Sequence, residues 1–337
     1  VHRGGTDFAR CLKAALALRP APLEIIVVND GGDQADADLA RAAGCRVEEM
    51  PRQAGPAVAR NRGAALTRGD LLLFVDADVL LPPETVGNII GRFEGQPSLG
   101  ALIGSYDAHP DKPNFLSQYR NLLHHYVHQQ GQAEASTFWG ALGAIRREVF
   151  WSVGGFDETF PHPSVEDIEL GYRLRARGVR LALDKDIQCR HLKRWTLWSM
   201  LETDVLRRAL PWTRLILRYD MFINDLNLRA SQRVCVVLAL IFWGGLLLAP
   251  FWPPACWALA AGAGLLWLNR DLYRFFRHAR GPAFVPGAVF FHWLYFLYSG
   301  LALAWALGGH FLGGTAAKGP PSQGAGKGGP DSSGHRW

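Results

Sequence analysis

Two carboxylate pairs dominate the chemistry that this sequence can support. Asp76-Ala77-Asp78 closes the apolar run Leu71-Leu72-Leu73-Phe74-Val75, and Glu166-Asp167 opens the helix-like stretch from Ile168 to Arg175. A strand that ends in Asp-x-Asp sets two hard oxygen ligands at a sheet edge, where a divalent cation can join them to the phosphates of a nucleotide. A carboxylate delivered from elsewhere can take the proton of an attacking hydroxyl. The combination points to metal-assisted transfer from a nucleotide-activated donor.

The elements that must position these groups can be read from the pattern. Phe8, Leu12, Ala15 and Leu16 have helical spacing, and Arg19-Pro20-Ala21-Pro22 stops that helix. Residues 23–28 are short and β-branched, and Asn29-Asp30-Gly31-Gly32 closes them as a strand with a polar turn. A helix over 36–43, a strand over 45–50, a helix over 57–66 and the strand 71–75 follow. Strands alternating with helices at this spacing predict an α/β domain with a mainly parallel sheet and ligands at the carboxyl ends of its strands.

The blocks Asn29-Asp30-Gly31-Gly32, Ala59-Arg60-Asn61-Arg62-Gly63, Phe74-Val75-Asp76-Ala77-Asp78, Val153-Gly154-Gly155-Phe156-Asp157 and Glu166-Asp167-Ile168-Glu169-Leu170-Gly171-Tyr172-Arg173-Leu174 stand in the order and spacing of family 2 glycosyltransferases. The chain resembles that family over residues 1–195. The resemblance implies a GT-A fold, Rossmann-like and flanked by helices, with a nucleotide-sugar donor linked to UDP, GDP or dTDP, Mn²⁺ or Mg²⁺, and inversion at the anomeric carbon. It further implies that Asp78 ligates the metal, that Asp76 touches the donor ribose or the metal through water, and that Asp30 meets the nucleotide base. Asp167 becomes the general base, with Glu166 orienting it or touching the acceptor. Arg60 and Asn61 are candidates for the donor diphosphate. Asn29 and Gly32 depart from the family's usual acidic pair followed by Gly-Ser, which weakens a ribose contact more than a base contact.

Plain structural readings stand beside these. Ser164-x-x-Asp167 fits a capping box, and an aspartate in a first helical turn is favoured by the helix dipole. Arg60 can be an exposed helical arginine. His191-Leu192-Lys193-Arg194-Trp195 occupies the place of the Gln-x-x-Arg-Trp of processive family members, with histidine at the glutamine position and Gln188 out of place. His191 either completes the metal site or is a hydrogen-bonding core residue. Trp195 either stacks on the acceptor, with Trp139 and Arg194 beside it, or lies at the membrane surface. His124 and His128 have i,i+4 spacing without a metalloprotease glutamate, Arg68-Gly69-Asp70 reads as a helix stop, and Gly262-Ala263-Gly264 reads as helix packing.

The last third of the chain changes character. The uncharged runs 234–250, 252–268 and 283–309 predict three spanning helices, each near the roughly 20 residues that a bilayer needs. Pro253, Pro254, Gly262 and Gly264 interrupt the second, for which a re-entrant hairpin with the first is the alternative. Arg214, Arg218, Arg229 and Arg233 precede the first run, and Arg270, Arg274, Arg277 and Arg280 precede the third, so the positive-inside rule sets the catalytic domain in the cytoplasm, in a bacterial inner membrane. Residues 196–233, with Trp198, Leu201, Leu206, Leu210 and Trp212 among Arg207 and Arg208, predict amphipathic interfacial helices broken near Pro211. Residues 313–337 are rich in Gly, Pro and Ser and predict a disordered tail.

The net charge of +6 concentrates beside these apolar runs and needs no nucleic-acid partner. The 5 scattered cysteines form no CxxC pair and suit a reducing compartment. Val1 and the turn at Gly4-Gly5 suggest a start inside or just after the first β-strand. The expectation is an anchored glycosyltransferase domain at 1–195, interfacial helices at 196–233 and a membrane region at 234–312. A lipid-linked or glycan acceptor and membrane lipids are its partners. The rivals are a processive polysaccharide synthase and a catalytically silent scaffold of the same fold.

Overall fold

The computed structural model describes residues 1–2, 4–219, 229–249 and 256–312. Its first part runs α1 (Gly5–Leu16), β1 (Ile26–Asp30), α2 (Gln34–Ala42), β2 (Arg46–Met50), α3 (Pro56–Leu66), β3 (Leu71–Val75) and β4 (Val79–Leu80). Then come α4 (Thr85–Gly95), β5 (Leu99–Tyr106), α5 (Phe115–Gln129), β6 (Leu142–Arg146), α6 (Arg147–Ser152), α7 (Glu166–Ala176) and β7 (Arg180–His191). The apolar periodicities up to residue 75 thus became the expected elements, with ends shifted by a few residues.

The sheet is mixed, which corrects the expectation of a mainly parallel one. β1 and β2 pair in parallel as a separate two-stranded sheet. The five-stranded sheet has the order β3-β6-β5-β7-β4, and only β5 and β7 are parallel within it. The strands that run against the others are β6, from beyond residue 140, and the two-residue β4, which pairs with the end of β7. Their pairing is non-local, so local periodicity carries no trace of it. β5 is buried at every residue and forms the axis of the core, with Leu72, Phe74, Phe138, Leu142, Ile145, Phe150 and Phe156 packed around it. Phe74, which precedes the Asp-x-Asp, meets Phe138, Phe150 and Phe156 at ring distances of 6.1, 5.3 and 5.1 Å. This aromatic cluster anchors the end of β3 and, with it, the two aspartates.

Beyond β7 the chain is helical: α8 (Leu197–Glu202), a π-helical segment (Thr203–Ala209), α9 (Leu210–Tyr219), α10 (Ala230–Leu248), α11 (Cys256–Leu268), α12 (Arg270–Arg280) and α13 (Val285–Leu312). The expected break near Pro211 is absent. A proline has no N–H and crowds the carbonyl four residues back, and the wider π register just ahead of it relieves that conflict while the helix continues. α9 packs inward on α7, with Trp212 Nε1 donating to Tyr172 Oη at 2.9 Å, while Leu197, Trp198 and Leu206 stay exposed.

Among the described residues two helices, not the expected three, are long and apolar enough to cross a membrane: Ala230–Leu248 and Pro282–Gly309. In the middle run, the described helix Cys256–Leu268 covers 13 residues, about 20 Å at 1.5 Å per residue against a hydrocarbon core of about 30 Å. It lies back along α10, with Gly245 against Ala258 and Gly264 against Leu238, in keeping with the hairpin alternative and the packing role of the small residues. Pro253, Pro254 and the tail 313–337 lie outside the described residues. α12 seats Leu272, Tyr273 and Phe276 on α5, and α13 runs over the same cluster through Ala288 and Phe291.

Candidate active site

The end of β3, the start of α7 and the last residues of β7 converge on one cleft of about 1260 Å³. α7 reaches it because Gly171 lets the helix touch the strand-preceding segment: a Cβ there would come within 2.3 Å of the Phe138 backbone nitrogen. The Trp139-Gly140 peptide, next along that segment, completes the surroundings of Asp167. Gly140 N donates to Asp167 Oδ2 at 3.1 Å, and Ile168 N donates to Oδ1 at 2.8 Å. Burial and the neighbouring Glu166 carboxylate push the Asp167 carboxyl up to about 6, against the opposing Arg60 charge and the Gly140 N–H. The expected capping box does not form. Val165 is the N-cap, and the Ser164 hydroxyl donates to the Arg207 carbonyl instead.

Arg60, from α3, joins the two carboxylate pairs. Its guanidinium donates to Asp76 Oδ1 and to Glu166 Oε1, both at 2.8 Å. Burial works against its charge, but Asp76, Glu166 and Asp167 outweigh that and keep it firmly cationic. Arg60 is therefore not the exposed helical arginine of the plain reading. Gly140 is required a second time here, since a Cβ would sit 2.8 Å from the guanidinium carbon.

Asp78 faces His191 across 3.4 Å, from carboxylate Oδ2 to imidazole Nε2. Burial raises the Asp78 carboxyl, but the His191 imidazole and the Lys193 ammonium prevail and hold it below the ordinary carboxylate range. The other ring nitrogen of His191 lies 3.0 Å from Asn121 Oδ1, and the ring stacks on Tyr106 at 4.6 Å. With the proton on Nδ1, the Nε2 lone pair would be free for a cation shared with Asp78; with a proton on Nε2, the ring donates to the Asp78 carboxylate instead. No group of three or more His, Cys, Asp or Glu suited to a metal occurs among the described residues. Asp78 and His191 fit a two-ligand half-site whose remaining positions the donor phosphates and water would fill. Asp76, with one oxygen on Arg60, is adjacent.

The other expected site residues are placed as follows. Asp30 is buried and its carboxylate accepts from Ala54 N at 2.7 Å and Gly55 N at 3.0 Å, so it fixes the entry to α3 on the cleft rim. Asn61 is turned away from the cleft: it exchanges hydrogen bonds with the Phe156 backbone at 2.8 and 2.9 Å and clamps the Gly-Gly-Phe-Asp loop. Trp139 is buried against Tyr106, His124 and His128. Trp195 is buried rather than at a surface, with Lys193 over its ring at 4.2 Å. Arg194 is exposed at the rim. Sequence reasoning missed Gly140, Asn121, Lys193 and Arg208, all at or on the cleft. Only Lys193 carried a signal, through its place in the His191–Trp195 block. At the other end of the chain, Asp30 N donates to the Val1 carbonyl at 2.8 Å, so the first residue runs beside β1.

Comparisons with known proteins bear on the family and the fold. The Glycosyl transferase family 2 model matches residues 2–154. The chain is 28% identical over 203 residues to a validoxylamine A glucosyltransferase of Streptomyces hygroscopicus subsp. limoneus, covering 50% of this chain and 44% of that protein. It is 32% identical over 170 residues to a pre-mycofactocin glycosyltransferase of Mycobacterium tuberculosis, covering 47% and 35% respectively. The chain thus spans less than half the length of these curated relatives. Among solved structures, the mannosyltransferase PcManGT from Pyrobaculum calidifontis in complex with GDP-Man and Mn²⁺ shares the fold, with a TM-score of 0.57 at 18% identity over 90% of this chain and 85% of that one.

Proposed function

We propose that this chain, a member of glycosyltransferase family 2, is a membrane-associated, metal-dependent, inverting enzyme that moves a sugar from a nucleotide-sugar to a hydroxyl or phosphate of a lipid-linked or glycan acceptor. The observation that carries this reading is the pairing of two differently tuned carboxylates on one cleft. Asp78 is held ionised beside His191, and Asp167 is raised to about 6, near the pH at which a base both accepts and releases protons.

In the proposed reaction Asp167 takes the proton of the acceptor hydroxyl. Its oxygen forms the new bond to the anomeric carbon as the bond to the donor diphosphate breaks, and the electron pair leaves with the diphosphate. A bound Mn²⁺ or Mg²⁺ would neutralise that developing charge as a Lewis acid, held by Asp78 and His191 with Asp76 nearby. Glu166, fixed by Arg60 and the Ser164 N–H, raises the basicity of Asp167. Asp30 shapes the rim where the nucleotide base would lie. The exposed apolar residues of α10, α11 and α13 support a membrane location.

The test is Mn²⁺-dependent nucleotide release from UDP-, GDP- and dTDP-sugars, with and without a membrane-lipid extract. Release that requires lipid and is lost in Asp167→Asn is the expected result. Release at an unchanged rate in Asp167→Asn removes that residue from the mechanism.

A further inference from the structure

The basic side chains around the cleft are mostly answered by carboxylates. Arg60 has Asp76 and Glu166, Arg120 has Asp204, and Arg207 has Glu202. Lys193 and Arg208 are different. Both are half-buried on the cleft, and neither makes an ion pair among the described residues. The two charges lie near enough to act on each other; Lys193 also acts with Asp78, and Arg208 reaches His124 and Asp167. Half-buried cations that repel one another and have carboxylates only at a distance, with no direct ion pair, lose hydration for little return, which favours a ligand that supplies a contacting anion. Two buried donors on the same cleft, Trp195 Nε1 and Asn121 Nδ2, also have no acceptor. The surroundings are rich in donors and select a ligand with several anionic oxygens.

Placement argues for the acceptor as the source of those oxygens. Arg208 belongs to the π-helical segment, which also carries Asp204, and the Tyr298 hydroxyl of the apolar helix α13 donates to Asp204. Arg208 is thus mounted on the element that links the base side of the cleft to the apolar helices. The donor diphosphate, by contrast, would find its counter-charge in the cation that Asp78 and His191 would hold. We propose that Lys193 and Arg208 form a phosphoryl-binding site for an acceptor that carries a phosphate group as well as the hydroxyl that Asp167 deprotonates. The proposal rests on the glycosyltransferase reading above.

The full chain in detergent micelles, with Mn²⁺ present, is titrated with farnesyl phosphate, glycerol 3-phosphate, farnesol and nucleoside diphosphates, with tryptophan fluorescence as the readout. Farnesyl phosphate should bind more tightly than farnesol. Its Kd should rise roughly ten- to a hundredfold in Arg208→Gln and in Lys193→Gln, as expected for loss of a charge-assisted contact, and Arg208→Lys should recover part of the loss. Glycerol 3-phosphate binding with the same sensitivity identifies a soluble phosphorylated acceptor; binding confined to farnesyl phosphate identifies a lipid-borne one, and both sustain the site. Loss of nucleoside diphosphate affinity with farnesyl phosphate unchanged overturns the proposal, because the cations then serve the donor. Equal binding of farnesol and farnesyl phosphate overturns it too. Wild-type nucleoside diphosphate binding that depends on Mn²⁺ tests the glycosyltransferase reading separately.

Discussion

Under the proposed mechanism, Asp167 and Asp78 take two roles from one residue type through their surroundings. Asp167 lies beside another carboxylate and out of water, so its proton is held up to about pH 6. Turnover should therefore fall as pH drops through about 6, because the base is then protonated, and a pH profile of kcat/KM should show that limb. The same shift has a cost in stability. The folded carboxyl holds its proton to about 6 and the unfolded one releases it near 3.8, so this group makes the fold less stable as pH rises across that window. Asp167→Asn removes the buried charge. It should lower turnover by about 10² to 10⁴ while raising stability by about 1–3 kcal/mol, read as a higher Tm. At Asp78 the expected change is in binding: Asp78→Ala and His191→Ala should each abolish Mn²⁺-dependent nucleotide affinity, measured by calorimetry. The mixed oxygen and nitrogen donor set should favour Mn²⁺ over Mg²⁺.

At the scale of elements, the site depends on how closely α7 and the segment before β6 approach. Gly140 serves Asp167 with its N–H and leaves room for the Arg60 guanidinium. Gly140→Ala keeps the N–H but sets a methyl 2.8 Å from that guanidinium carbon, so Arg60 must leave either Asp76 or Glu166. The expected result is a loss of kcat together with a loss of stability of about 1–3 kcal/mol in a denaturant titration, since a buried carboxylate or guanidinium is left without its partner. Asn61→Ala acts on a different element. It frees the Phe156 backbone N–H and carbonyl, both buried hydrogen-bonding groups, and should cost about 2–4 kcal/mol of stability in a denaturant titration.

Across the whole molecule, the apolar helices and the catalytic part share a packed boundary. α12 and the first half of α13 rest on α5, and Arg120, Asp204 and Tyr298 form a buried polar junction there. The outward faces of α10, α11 and α13 leave Leu247, Leu259, Trp267 and Trp305 between 67% and 78% exposed. Such a surface suits lipid, with the arginines of α12 at its edge. Leu247→Glu combined with Leu259→Glu should shift the protein from the membrane fraction to the supernatant in vesicle flotation, and an unchanged distribution would argue against this face as the lipid contact.

The sequence by itself determined the elements up to residue 75, the two carboxylate pairs and the family, because each is written in local spacing: apolar periods, Asp-x-Asp at a strand end and Glu-Asp at a helix start. It could not determine the antiparallel pairing of β6 or the continuity of the helix through Pro211, because these are settled by distant partners and by register. The bridge from Asp76 through Arg60 to Glu166 joins residues 16 and 106 positions apart. Only tertiary packing brings such groups within hydrogen-bonding distance, and only then do burial and neighbouring charge separate a base from a metal ligand.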